Sequence, residues 1–237
     1  MVHQSLISDF VSQYTYSKDI GKLFKRKGVE GKATFFINGY NYGCIYNKEN
    51  VNALRARHHE GFEFGLSSLC MLCHADLVNL SSVQIVKQVE LLETAVERIL
   101  GVRLGMFIAP YDSIDEKAAK VIRDKGYKIV RWSLDSGDTT FYLGRPQSSV
   151  NLIRKWIKKA SGKSGIGLFD ETKADTVYKV LPHSIDLLKK SGYKLVTLSE
   201  CLGVEPYQKG HFHRSEPDKT WTCGEFLDRL KRSGSPS

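Results

Sequence analysis

The chain has 237 residues, 41% of them hydrophobic, and its 35 Lys and Arg against 26 Asp and Glu give a formal net charge of +9. That length suits one large domain better than two, since single α/β barrels reach this size and no linker divides the sequence. Composition excludes a small disulfide scaffold, no apolar run approaches a membrane span, and the basic excess lacks the interleaved aromatics and the motifs of a nucleic-acid reader.

The basic residues concentrate in KLFKRKG, IRKWIKKASGKSG and RLKRSG. They read as solvated helix faces, with an anionic polymer or membrane surface as the other reading. The opening MVHQSLISDF has no charged segment followed by a long apolar one, so no signal peptide is visible and the sequence as written is expected in the cytoplasm. Five cysteines, at 44, 70, 73, 201 and 223, leave at least one thiol without an intramolecular disulfide partner.

In chain order, seven short β-rich runs alternate with longer segments: SLISDF, KATFFING, FEFGL, MFIAPY, KIVRWSL, GIGLFD and KLVTLSE. A helix is predicted over 82–100, with Ile85, Val89, Leu92, Val96 and Ile99 on one face, Ser81 and Gln84 forming a capping box, and Leu80 stapled to Ile85. A second is predicted from about 174 to 190, with Val177, Leu181, Ile185 and Leu188 inward and Gly192 after its end. Repeated strand–helix units imply a parallel sheet, and about seven of them imply an α/β, distorted TIM-like barrel whose function sits at the C-terminal ends of the strands. The barrel domain is expected over 1–204. The polar, turn-rich tail, 205–237, is expected to wrap its outside, with a short helix near 224–232 and a disordered end.

The run CMLCH, Cys70 to His74, has the form of a haem attachment site and also of half a zinc site. Haem attachment needs export and normally a helical surround, whereas this run falls on a loop between a strand and the helix at 82. What remains open is a zinc site built on Cys70 and His74, or two thiols buried as small hydrophobes beside a histidine with no ligand role. His58 and His59 follow ALRAR on a helix and read as a solvated face. His211 and His213, in HFH, read as a polar tail before they read as ligands.

KATFFINGYNYGCIY, DLVNLSS, FIAPY, RWSLDSGD, DETKADTVYKVLP and GYKLVTLSECLG, in this order, resemble the polysaccharide deacetylases, the NodB-like carbohydrate esterases, and among them the fungal chitin deacetylase branch, which TWTC near the end also matches. The resemblance runs from about residue 7 to 203. It implies a distorted β/α barrel that removes the N-acetyl group from chitin-like polymers with one divalent metal, held by an aspartate and two histidines. A second aspartate is the base and a later histidine the acid.

Several of the positions that the resemblance assigns to this chemistry carry other residues. Asp9 keeps the ligand position of the first motif, but Ser8 stands where the base belongs, and a serine without a neighbouring base takes no proton near neutral pH. His74 matches one metal histidine, and Cys70 or Ser67 occupies the place of the other. Ile108 replaces the arginine that orients the base, and Asp170, followed by Glu171, replaces the acid histidine. The adjacent pair Asp170 and Glu171 reads as a helix N-terminal cap, with a shared proton as the other reading. Asp135 and Tyr111 remain from the catalytic set, and Pro110, Tyr111, Trp132, Asp138 and Leu168 from the substrate groove. Cys44, Cys201 and Cys223 match cysteines of secreted fungal relatives; without an export signal they read as reduced thiols, and the sequence leaves their disulfide state open.

The reading is a deacetylase-like barrel that has lost its base, base-orienter, one metal histidine and acid, and that binds an N-acetylglucosamine polymer without hydrolysing it. A chitin-like polysaccharide or oligosaccharide is the expected partner, with no resident cofactor, no nucleic acid and no membrane span. The alternative is an active N-deacetylase on a rewired site of Asp9, Cys70, His74 and Asp170, with zinc as its ion. The sequence does not set the oligomeric state.

Overall fold

The computed structural model describes residues 2–10, 16–40, 43–69, 76–138 and 145–224. Eight strands form one sheet: β1 (Val2–Phe10), β2 (Thr34–Ile37), β3 (Glu63–Leu66), β4 (Met106–Ile108), β5 (Lys128–Val130), β6 (Leu134–Asp135), β7 (Gly165–Phe169) and β8 (Tyr193–Val196). Their order is β5-β4-β3-β2-β1-β7-β6, with β8 also on β1, and every ladder is parallel. β1 is the centre. β7 runs along one side of it, from Gln4↔Gly165 to Ser8↔Phe169. The other side is shared by β8, beside Val2 to Ser5, and β2, beside Ile7 to Phe10.

The predicted strand KIVRWSL is two strands. β5 and β6 lie at opposite ends of the sheet order, yet only Arg131–Ser133 separates them in the chain. The sheet therefore curls until its edges nearly meet. Two strands running the same way need a crossover of a dozen or more residues to pair, so this short link continues one strand towards the other and cannot lay them side by side. Among the described residues no ladder joins β5 to β6, and the distorted TIM-like barrel is open along that seam.

Helices α1 (Ser17–Arg26), α2 (Lys48–His59), α3 (Ser82–Leu100), α4 (Glu116–Asp124), α5 (Pro146–Ala160) and α6 (Leu181–Lys190) cover the sheet, and α7 (Leu198–Leu202) follows β8. Every residue of β2 and β3 is buried, as in a sheet covered on both faces. The larger core, containing Phe24, Phe35, Leu54, Phe62, Leu92 and Ile185, lies between sheet and helices, and a smaller cluster of Phe36, Met106, Ile108, Val130 and Leu198 fills the barrel. The capping box of α3 forms as expected, with Ser81 Oγ accepting from the Gln84 amide and the Gln84 side chain accepting from that of Ser81. The second predicted helix begins with a π-helical turn, Thr176–Val180, before α6, and Val177, Leu181, Ile185 and Leu188 are all buried.

Glu63 closes the barrel floor. Its carboxylate is buried and accepts from Thr34 Oγ1 at 3.1 Å, from the Ser199 amide at 3.1 Å and from the Ser199 hydroxyl, while the Leu198 amide donates to Thr34 Oγ1 at 2.9 Å. This joins the first residues of β2 and β3 to the start of α7.

The segment after α7 runs over the outside. Leu104 bridges Tyr207, the Gln208 amide donates to Arg103 O, and the Ser215 amide donates to Arg98 O. Trp221 is buried against Tyr46 with the Arg55 guanidinium over its ring. Cys223 then forms a disulfide with Cys44, 179 residues away. This decides against reduced thiols at two positions whose disulfide state the sequence left open, and a disulfide belongs to oxidising compartments, against the cytoplasmic placement. Cys201 lies half-buried outside that bond, its Sγ 3.8 Å from Gly165 O. The helix expected near 224–232 lies outside the described residues, and no helix among the described residues is long and apolar enough to cross a membrane.

Candidate functional site at the strand ends

Parallel register sets the neighbours at the C-terminal ends of the strands. Ser8 lies beside Phe35 of β2 and Phe169 of β7, and Asp9 beside Phe36. Asp135 of β6 lies beside Leu168 of β7, one residue before Phe169. The positions Ser8, Asp9, Asp135 and Asp170 thus converge on three adjacent strand ends. Cys70, Cys73 and His74 lie outside the described residues. Among the described residues no group of three or more His, Cys, Asp or Glu is arranged to hold a metal ion.

Ile108 ends β4 inside the barrel at 2% exposure, in one cluster with Phe36, Met106, Val130 and Leu198. Trp132, Ile166 and Leu168, each half-buried, pack on it. Among the described residues the surroundings of Ile108 are hydrocarbon, where a charge without a partner costs several kcal/mol. Trp132 therefore serves the barrel interior as well as its mouth.

After β4 the chain turns through Pro110–Asp112, where Tyr111 (φ 57°) and Asp112 (φ 55°) both adopt the left-handed conformation. That conformation costs roughly 1–2 kcal/mol per non-glycine residue. Something must hold it. Arg131, just past β5, grips Asp112 with two hydrogen bonds, Nε to Oδ1 at 2.9 Å and Nη2 to Oδ2 at 2.6 Å, and the carboxylate in turn raises the arginine's pKa. The turn leaves Tyr111 58% exposed at the rim. Reading the sequence misses this pair.

Asp138 is buried behind the β6 end. Its Oδ2 accepts from the Asp170 amide at 2.9 Å and from the Thr176 hydroxyl at 2.8 Å. Burial raises its pKa, and those two donors oppose the rise. Asp170, also buried, turns its own Oδ1 to the Thr172 amide at 2.9 Å and the Thr172 hydroxyl at 2.6 Å. It closes a turn and caps no helix, which corrects that expectation. Glu171 is 1% exposed and within electrostatic reach of Arg57. Asp135 is exposed and accepts from the Gly137 amide at 2.8 Å.

The structure thus links Asp138 to Asp170 directly and gathers Ile108, Trp132 and Leu168 into one cluster, with Tyr111 on the rim. His58 is not the solvated residue expected: it packs between the rings of Phe64 and Tyr207, and burial lowers its pKa. His211 and His213 are exposed in the tail. Asp135, Asp138 and Asp170 accept hydrogen bonds from fixed donors, and no described histidine stands with them, so the described part of the site offers orientation and hydrogen bonding in place of a proton shuttle.

The polysaccharide deacetylase family model matches residues 9–130. A chitin deacetylase of Colletotrichum lindemuthianum is 30% identical over 197 residues, 81% of this chain and 77% of the relative. Another from Pestalotiopsis sp is 28% identical, covering 80% of this chain and 60% of the relative. The solved structure of the Colletotrichum lindemuthianum chitin deacetylase superposes with a TM-score of 0.76 at 29% identity, over 90% of this chain and 92% of that one. A CE4 family pseudoenzyme from Bacillus anthracis shares the fold at a TM-score of 0.71 and 21% identity, over 91% of this chain and 69% of that one.

Proposed function

The chain belongs to the polysaccharide deacetylase family, and from that premise we propose that it binds an N-acetylglucosamine polymer of the chitin type without hydrolysing it. One observation carries the reading: Ile108, at the position the family gives to the base-orienting arginine, is buried in an apolar cluster with no room for a charge. A base without its orienter is idle, and Ser8 in the base position is no base. Asp170, in the acid position, is a carboxyl engaged by Thr172 where the family's chemistry uses an imidazole. Losses within one catalytic unit remove most of the rate between them.

Binding asks for less. An exposed tyrosine face, a half-buried tryptophan and a few oriented carboxylates are enough to hold a sugar. Tyr111, Trp132 and Asp135 supply them at the strand ends. If an ion is held here, the carboxylate, thiolate and imidazole of Asp9, Cys70 and His74 form a donor set suited to zinc, which supplies Lewis acidity to an amide carbonyl and to water.

The direct test is acetate release from N-acetylglucosamine oligomers, with and without added zinc or cobalt. None above background is expected, with saturable shifts of the Tyr111 and Trp132 resonances by NMR. Turnover that vanishes in Asp9→Ala would overturn the reading in favour of an active N-deacetylase with a rewired metal site. The metal itself is read by zinc titration of protein with its disulfide intact and its other thiols reduced, where Cys70→Ala should weaken binding far more than Cys73→Ala.

A further inference from the structure

Helix α5 carries a run of charge that the strand-end site does not use. Between Asp138 and Asp170 the chain has no Asp or Glu, while Arg145, Arg154, Lys155, Lys158, Lys159 and Lys163 all fall there. Each of these cations is exposed. The packing of the helix fixes where its outer face points: Val150 and Ile153 are buried, and the Trp156 ring lies 5.7 Å from that of Tyr193 on β8, so the opposite side faces solvent. That side holds Gln147, Asn151, Arg154, Lys155, Lys158 and Lys159, a polar row about 18 Å long at about 1.5 Å per residue.

Four-residue spacing sets Arg154 beside Lys158 and Lys155 beside Lys159, and like charges so placed destabilise a helix. The negative end of the helix dipole favours Lys158 and Lys159 in the last turn, but that effect fades within a turn and does not account for Arg154 and Lys155. Other basic helices are built differently. On α4, Lys120 pairs with Asp124 and Arg123 with Glu116, and on α1 Lys22 pairs with Asp19, each within its own helix. α5 has no acid of its own for such pairs, and Arg154 donates to the neutral Asn151 Oδ1 at 3.0 Å. α5 and α6 pack on each other and both return between parallel strands, so their C-terminal ends lie where the strands begin. Lys163 precedes β7 there, and the exposed Lys189 and Lys190 precede β8. The row therefore runs towards the end of the barrel opposite the candidate site.

We propose that the outer face of α5 is a docking surface for a linear acidic polysaccharide, whose carboxylate or sulfate groups meet Arg154, Lys155, Lys158, Lys159 and Lys163. Charge complementarity selects an anion, and cations spaced along one line select a chain of repeated charges over a single ion. A bilayer fits less well. The apolar side of α5 faces the barrel, and none of the exposed large hydrophobic residues lies on this helix, so nothing on it enters a membrane. A disulfide such as Cys44–Cys223 belongs to oxidising compartments, away from the anionic cytoplasmic leaflet and from nucleic acid. This surface is independent of the sugar-binding reading of the strand ends.

Heparin is the probe, titrated into the full chain with its disulfide intact at several salt concentrations, with duplex DNA and vesicles of phosphatidylserine in phosphatidylcholine in parallel. Heparin is expected to bind more tightly than either at matched salt and to shift the amide resonances of 151–163 by NMR. The double variant Arg154→Gln/Lys158→Gln should weaken heparin about tenfold and make its salt dependence shallower. Lys120→Gln/Arg123→Gln on α4 removes the same charge and should weaken it less than about twofold. All four positions are exposed, and melting temperatures no lower than that of the parent chain check that both variants fold. No heparin binding, equal losses in the two variants, or tighter binding to DNA or vesicles overturns the proposal. Displacement of heparin by neutral chitin oligomers overturns it too, because the polymer would then lie at the strand ends. Heparin binding that those oligomers leave unchanged sustains it, whether or not they bind elsewhere on the chain.

Discussion

Asp112 occupies a left-handed conformation that glycine adopts without strain, and its bond to Arg131 crosses the surface in water. Two effects compete there: the backbone strain, roughly 1 kcal/mol or more, and an exposed ion pair that salt and side-chain entropy keep weak. Strain wins. Asp112→Gly is therefore expected to unfold at the same or a slightly higher urea concentration, while Arg131→Ala, which keeps the strain and loses the grip, unfolds earlier and lets the Tyr111 amide exchange faster. His58 gives a pH signature. Its folded pKa is held below that of the unfolded chain, so the unfolded state binds the extra proton and stability falls as pH drops through about 6.5 towards the folded value. His58→Phe should flatten that part of the stability profile. That an apolar residue ends β4 was legible in the sequence, because FIAPY reads as a buried strand end. The burial of His58 was not, since Phe64 and Tyr207 reach it from other parts of the chain.

At the level of elements, what the sequence announced was local. The box of Ser81 and Gln84 and the apolar face of α3 lie within one stretch, and they formed as read. The run 128–134 was misread because β-propensity marks extended backbone but not which neighbour it joins, and the two halves of this run join opposite ends of the sheet. Glu63 drew no comment as a sequence, yet it fastens α7 to the floor. Removing its carboxylate would leave buried donors on Thr34 and Ser199 unmatched. Glu63→Ala is expected to cost about 2–4 kcal/mol by urea denaturation, and Glu63→Gln less, because the amide still accepts.

For the whole molecule, the odd cysteine count could not name a pairing, and the bond from Cys44 to Cys223 follows from the course of the outer segment over α2 and α3. It closes a loop that spans most of the chain, so Cys223→Ser should lower stability by about 3–5 kcal/mol, read as a shift in the denaturation midpoint. β1, first of the strands in chain order, is also the one with three partners, and two of them, β7 and β8, come last. While the chain emerges from the ribosome, β1 can gain β2 early but must wait with an open edge for almost the whole polypeptide to appear. An unpaired strand of that kind invites pairing with another nascent copy. The yield of folded protein should thus depend on synthesis rate and chaperone supply more than its final stability would suggest, and Cys223, near the end of the described chain, can lock the barrel only after that wait is over.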